Sequence, residues 1–100
     1  MFEIKTTDQF DVWLIGMRDG LTRRRVVARL RKASMGLLGD VKPVGEGVSE
    51  MREHFGSGWR LYFVQHGQTL IVMLAGGDKA TQTADIALAL RLARQLKDES

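Results

Sequence analysis

The sequence contains no cysteine, so it can form neither a disulfide nor a site that uses a thiolate as nucleophile or zinc ligand. Its single proline, Pro43, lies in the glycine-containing segment 42–47, which is predicted to be a loop. No apolar run reaches the roughly 18 residues that a membrane span needs, and the first residues lack the apolar stretch of a signal peptide. We therefore expect a cytoplasmic protein that does not bind a membrane.

The remaining composition is that of a globular protein, with 44% hydrophobic and 27% charged residues. Its length predicts a single domain over residues 1–100. The net charge is only +3, but the positive charges are unevenly distributed. A basic run without any acid can bind phosphates, bind an acidic protein or simply form a solvated helix face. This run comprises Arg23, Arg24, Arg25, Arg29, Arg31 and Lys32.

The spacing of apolar residues predicts an α+β fold. Residues 2–5 alternate as a short strand, and apolar residues then recur at helical spacing over 10–17 and 26–37, which predicts an N-terminal helical hairpin. Three strands and one helix follow, so the predicted order is βααβββα, with a mainly antiparallel sheet packed against the hairpin and the C-terminal helix. The later elements are predicted at 48–54, 59–65, 69–75 and 86–96.

Three cations are candidates for binding a phosphate. No Ser/His/Asp arrangement is recognisable, two histidines are too few to predict a metal site, and the glycine pair at 76–77 lacks the spacing of a phosphate-binding loop. Arg52 and Arg60 flank a predicted turn that can bring them side by side, and Lys79 follows the last strand. On sheet positions that face away from the core, these cations would stabilise a pentacoordinate phosphorus.

Two motifs together resemble the RelE/ParE superfamily of toxins. Gly-Trp-Arg-Leu-Tyr-Phe at 58–63 is followed, after a hairpin and an apolar strand, by Gly-Gly-Asp-Lys-Ala-Thr-Gln at 76–82 and Asp-Ile at 85–86. Within the superfamily, the chain is similar to the HigB-like addiction-module killer proteins, and the segment 44–52 also fits that subgroup. The resemblance extends over essentially the full length and implies the βααβββα order.

The resemblance implies a toxin of a type II toxin–antitoxin system. Such a toxin is an endoribonuclease, or mRNA interferase, that cuts mRNA in the ribosomal A site and is neutralised by a cognate antitoxin, here a small helix-turn-helix protein. A ribose 2′-oxygen would attack the adjacent phosphorus without a metal or cofactor, so DNA would not be cut. Two alternatives remain: a non-enzymatic ParE-like inhibitor of DNA gyrase, and an inactive member that binds only its antitoxin and DNA.

The resemblance also implies roles for particular residues. Arg60 matches an arginine that contacts the scissile phosphate, Arg52 matches an arginine of the preceding strand, and Lys79 lies near a basic residue after the fourth strand. Better-known members have lysines where this chain has Val48 and Glu50. Glu50 is therefore either a catalytic base or an ion-pair partner of Arg52. For Arg60, the structural alternative to a functional role is a pair with an acid such as Glu50.

The remaining candidates each have a functional and a structural interpretation. Asp85 lies where relatives often carry an acid or base, but a carboxylate in the first turn of a helix is favourable in any case. Tyr62 is either a platform on which an RNA base stacks or a surface aromatic. His54 and His66 are predicted to be exposed loop or strand-edge residues. The candidates for contact with ribosomal RNA are Arg23, Arg24 and Arg31.

Overall fold

Five strands form one mixed sheet in the computed structural model, which describes residues 1–99. The strands are β1 (Glu3–Thr6), β2 (Val41–Gly45), β3 (Val48–Arg52), β4 (Arg60–His66) and β5 (Leu70–Gly77). They lie in the order β1-β5-β4-β3-β2. The pairing of β1 with β5 is parallel, and the other three pairings are antiparallel. Ser100, the last residue of the predicted domain, lies outside the described residues.

Three helices accompany the sheet: α1 (Asp8–Ile15), α2 (Gly20–Ser34) and α3 (Gln82–Glu99). Thr7 caps α1 by accepting a hydrogen bond from the Phe10 amide, and Asp19 caps α2 by accepting one from Leu21. A short 3₁₀ turn, Lys79–Thr81, leads into α3. The predicted α+β class is confirmed. None of the helices described in residues 1–99 combines the length and apolarity needed to cross a membrane.

The two faces of the sheet pack against different helices. Because successive side chains of a strand point to opposite faces, each face carries its own apolar set. On the first face, Leu61 and Phe63 pack in one cluster with Phe10 of α1 and Val26 of α2. The second face packs against α3 and contributes, with that helix, Val48, Tyr62, Val72, Leu74, Ala75, Ala89 and Leu92.

The segment 42–47, predicted to be a loop, instead contains most of β2. The element order is therefore βααββββα, with one strand more than predicted. Strand β2 lies at the edge of the sheet and pairs only with β3. Proline is tolerated in an edge strand because such a strand makes ladder hydrogen bonds with one neighbour and not with two. The half-buried Val41 and Val44 contribute its apolar contacts.

Strand β5 contains an inserted residue and ends in the glycine pair of the second motif. Tyr62 pairs with Ala75 but Phe63 pairs with Met73, so one extra residue is inserted in β5 at Leu74. A Cβ added at Gly76 would lie 2.4 Å from the Trp13 ring, and one added at Gly77 would lie 1.8 Å from the Asp85 carboxylate. The two glycines therefore allow α1 and the start of α3 to approach opposite faces of the strand.

Candidate functional site

The three candidate phosphate-binding cations lie at one end of the sheet. Arg52 ends β3 and is the direct cross-strand partner of Arg60, which begins β4. Arg60 is paired on its other side with Gly77, the last residue of β5. Lys79 follows that strand, and its side chain packs beside Gly58, where an added Cβ would lie 3.0 Å from it. The predicted turn between Arg52 and Arg60 thus brings the basic residues to the same edge.

Arg60 lies on the sheet face opposite α1 and α2, but it is not exposed as its predicted orientation implied. The residue is only 5% exposed, since α3 and the segment before it cover this face. Its Nη1 donates hydrogen bonds to the backbone carbonyls of Glu53, at 2.9 Å, and Trp59, at 3.0 Å. Its Nε has no hydrogen-bond partner. Removing the Arg60 side chain would leave the carbonyls of Glu53 and Trp59 without the hydrogen bonds that Nη1 donates.

Glu50 is buried beside Arg60, not paired with Arg52 as one interpretation of the sequence proposed. Its Oε1 lies 3.8 Å from Arg60 Nε, and its Oε2 accepts a hydrogen bond of 2.8 Å from Gln82 of α3. Arg52 instead points its Nε at Asp40, at 3.3 Å. The Glu50 carboxylate therefore neutralises part of the positive charge of Arg60, which is more buried than Arg52.

Tyr62 is fully buried between the sheet and α3, so an RNA base cannot stack on it in this conformation. Its hydroxyl makes no hydrogen bond of standard geometry, although the Glu50 carboxylate is close enough to interact with it. Burial raises the pKa of Tyr62 above its usual value, and the nearby negative charge of Glu50 raises it further. At neutral pH this hydroxyl is a hydrogen-bond donor and not a base.

Asp85 lies in the first turn of α3 and stabilises the start of that helix. Its Oδ2 accepts a hydrogen bond from the Thr81 hydroxyl, which in turn accepts one from the Asp78 amide. Asp78 and Thr81 form a reciprocal capping box around the 3₁₀ turn. Asp85 also lies directly over Gly77. These contacts support the structural interpretation of Asp85.

A polar cluster that the sequence analysis missed lies just beyond β3. His54 Nε2 is 2.8 Å from Asp40 Oδ2, and the same carboxylate oxygen faces Arg52. The hydrogen bond with His54 lowers the pKa of Asp40, and the charges of Arg52 and Arg29 lower it further. Within residues 1–99, no three or more His, Asp or Glu side chains are grouped so as to hold a metal ion.

The pairing of β2 with β3 creates this cluster. The Arg52 amide donates a hydrogen bond to the carbonyl of Asp40, the residue just before β2, and so brings Asp40 beside the end of β3. With 42–47 predicted to be a loop, nothing in the sequence placed Asp40 next to His54. Val41 and Val44 are three residues apart and so lack the two-residue alternation of a strand, which is why no local pattern indicated β2.

The predicted RNA-contacting arginines lie on the outer side of α2. Arg24 and Arg31 are exposed and, with Arg23, line a shallow depression on this helix. Arg23 also donates a hydrogen bond to the Met17 carbonyl. Arg25 lies over the Phe55 ring at 4.4 Å. The basic run therefore contributes an exposed charged surface, although α2 packs on the sheet face opposite Arg60.

Comparison with known proteins yields a relative and a similar fold. No protein-family model matches the chain. An uncharacterised protein of Haemophilus influenzae is 38% identical over 94 residues, which cover 94% of this chain and 95% of that protein. The chain belongs to the same family as this protein.

The solution structure of the conserved hypothetical protein HP0894 from Helicobacter pylori has a similar fold. Its TM-score is 0.53 at 17% sequence identity, and the match covers 80% of this chain and 97% of that one. At this identity the similarity concerns the fold alone.

Proposed function

We propose that this protein is the toxin of a toxin–antitoxin pair, an endoribonuclease of the RelE/HigB type that cleaves mRNA on the ribosome. The family resemblance of the two motifs supports this proposal, and so does the position of Arg52, Arg60 and Lys79 at one edge of the sheet. In the proposed reaction, the ribose 2′-oxygen attacks the adjacent phosphorus and the bond to the 5′-oxygen breaks. The protein's cations stabilise the negative charge that develops on the phosphoryl oxygens.

The observation that carries the proposal is a pair of opposed arginines whose buried Nε groups form ion pairs with carboxylates but make no hydrogen bond. Arg52 and Arg60 occupy directly opposed positions on neighbouring strands, and the Nε of each is buried without a hydrogen-bond partner. Each Nε already faces a carboxylate, that of Asp40 at 3.3 Å from Arg52 and that of Glu50 at 3.8 Å from Arg60. A bound phosphate would therefore compete with both carboxylates and would supply the hydrogen-bond acceptor that each N–H lacks. Phosphate oxygens accept hydrogen bonds from guanidinium groups with good geometry.

The buried carboxylate of Glu50 sets a condition on this site. A bound phosphate must compete with Glu50 for Arg60, from which the carboxylate lies 3.8 Å away. Gln82, the first residue of α3, donates a hydrogen bond to Glu50 and holds this carboxylate beside Arg60. Loss of the hydrogen bond from Gln82 would release the Glu50 carboxylate from one of its partners.

Expression without an antitoxin is expected to arrest growth and to stop protein synthesis before DNA replication. The measurement is a time course of amino-acid and thymidine incorporation after induction, together with mapping of mRNA ends. An early loss of DNA synthesis with double-strand breaks would favour the gyrase-inhibitor alternative. Normal growth would favour a member that only binds its antitoxin.

Substitution of Arg60 by lysine is expected to lower mRNA cleavage on programmed ribosomes about a hundredfold or more. Lysine keeps the positive charge but lacks the planar set of N–H donors that contacts a phosphate from two directions. Lysine is preferred to alanine because Arg60 is buried, and thermal melting verifies that the variant is folded. Arg91→Lys, at an exposed position of α3, is the matched control and should cleave at the wild-type rate. Full activity of folded Arg60→Lys would remove Arg60 from the mechanism.

A further inference from the structure

A histidine and an aspartate lie beside the arginine pair, at positions other than those where the resemblance places a candidate acid or base. We propose that His54, held by Asp40, is the general base that activates the ribose 2′-hydroxyl. This inference rests on the proposed ribonuclease function. The motifs that carry the resemblance contain neither residue, and the pairing of β2 with β3 brings the two together.

The hydrogen bond to Asp40 determines which ring nitrogen of His54 is available. A carboxylate only accepts hydrogen bonds, so the Nε2 that lies 2.8 Å from Asp40 Oδ2 carries the proton. In the neutral imidazole this leaves the lone pair on Nδ1. The His54 side chain is 63% exposed, so a substrate can approach the ring. A general base requires this combination of a fixed ring and an accessible lone pair.

The charged groups around His54 are the Asp40 carboxylate, which holds the ring, and two arginines that face this carboxylate. Asp40 touches the ring directly, and its pKa is lowered, so it is ionised at neutral pH. Arg52 from β3 faces the same carboxylate, and Arg29 from α2 is close enough to influence it. Glu53, the residue next to His54, is paired with Arg29 at 2.6 Å. Asp40 is thus a positioning residue that also provides a counter-charge.

The base and the proposed phosphate site share one carboxylate. Arg52 Nε and His54 Nε2 both point at Asp40 Oδ2, at 3.3 Å and 2.8 Å. Because Arg60 is the cross-strand partner of Arg52, the imidazole lies at the same edge of the sheet as the arginine pair. For His54 to act as the base, a phosphate on these arginines must place its neighbouring ribose against the exposed His54 ring.

The proposed step balances without a cofactor. His54 Nδ1 takes the proton of the 2′-hydroxyl while the 2′-oxygen forms a bond to phosphorus. The bond between phosphorus and the 5′-oxygen breaks, and this oxygen takes a proton from solvent to leave as a hydroxyl. The products are a 2′,3′-cyclic phosphate and an RNA fragment with a 5′-hydroxyl. The imidazolium then returns its proton to water.

The test compares His54→Gln with wild type and with His66→Gln. His66 is the other histidine and ends β4, at the opposite end of the sheet, so its substitution is the matched control. Cleavage of a defined mRNA on bacterial ribosomes is measured from pH 5 to pH 9, and binding is measured with the same mRNA carrying 2′-deoxyribose at the cut site. We expect His54→Gln to lower the cleavage rate about 10²- to 10⁴-fold at unchanged binding.

The pH profile distinguishes a base from a structural residue. Wild type and His66→Gln should gain activity with rising pH across the range in which an imidazole loses its proton, and His54→Gln should lose this limb. Asp40→Asn should lower kcat at unchanged KM, and Asp40→Glu should restore part of it. Unchanged rate and pH profile in His54→Gln would overturn this inference alone. Absence of cleavage by wild type would overturn both this inference and the proposed function.

Discussion

Arg29 connects α2 to the edge of the sheet where the candidate site lies. Its guanidinium donates hydrogen bonds to the carbonyls of Leu38, Asp40 and Arg52 and to the carboxylate of Glu53. The side chain is only 10% exposed. This residue belongs to the basic run of the sequence, but its donors are used within the protein. It therefore supports the position of Asp40 and Arg52 and is not available to RNA.

Substitution of Arg29 by methionine is expected to lower the free energy of unfolding by about 2–4 kcal/mol. Methionine retains the apolar stem but leaves three carbonyls and the Glu53 carboxylate without their donor. Urea unfolding followed by circular dichroism measures the change. Arg24→Met, at an exposed position of the same helix, is the control and should stay within about 0.5 kcal/mol of wild type. Equal effects of the two substitutions would contradict this role of Arg29.

At the scale of a single element, helix α2 has a buried apolar face and an exposed basic face. Val26 and Ala33 are buried against the sheet, whereas Arg24 and Arg31 are exposed on the other side. The seven-residue spacing of these two arginines places them on one helical face. Because they lie away from the apolar contacts of α2, this face can change without disturbing the packing of the helix.

Reversal of two charges on α2, Arg24→Glu with Arg31→Glu, is expected to weaken ribosome binding without changing cleavage of RNA that is cut directly. Electrostatic binding to RNA should also weaken with salt, with a log–log slope of roughly 0.7–0.9 per phosphate contacted. Sedimentation with ribosomes across a salt series measures both effects. The control is Lys5→Glu with Arg91→Glu, which makes the same change in net charge at exposed positions of β1 and α3. Equal weakening in both variants would show that only net charge matters.

At the scale of the whole molecule, three carboxylates link stability to pH. Asp19 has a lowered pKa because of the hydrogen bond from the Thr22 hydroxyl, Asp40 because of the hydrogen bond with His54, and Glu46 because of the hydrogen bond from Arg94. A carboxyl whose pKa is lower in the folded state binds a proton more readily after unfolding. Its stabilising contribution is therefore present above the ordinary carboxyl pKa and is lost as the pH falls towards the lowered value.

The free energy of unfolding is expected to be insensitive to these groups near neutral pH and to fall below about pH 4.5. Urea unfolding at a series of pH values from 7 to about 3 measures the trend. A triple variant, Asp19→Asn with Asp40→Asn and Glu46→Gln, should start from lower stability at pH 7 and show a shallower loss in acid. A variant curve parallel to that of wild type would assign the acid sensitivity to other groups.

The sequence alone determined the helices, four of the five strands and the meeting of Arg52, Arg60 and Lys79 at one end of the sheet. These features follow from local rules, because hydrophobic spacing identifies each element and a turn between neighbouring strands brings their adjoining ends together. The strand β2 escaped this reasoning. Its backbone hydrogen bonds are made with β3, its two valines are three residues apart and do not alternate, and its proline ordinarily indicates a loop.

What covers the second face of the sheet depends on contacts between segments that are distant in the sequence. Alternation along a strand specifies which side a residue faces, but packing of a distant helix decides whether that side is exposed, and this is why Arg60, Glu50 and Tyr62 are buried. The inserted residue at Leu74 changes the alternation within an apolar run that carries no pattern to reveal it. Likewise, His54 and Asp40 are fourteen residues apart, and they meet only because β2 pairs with β3.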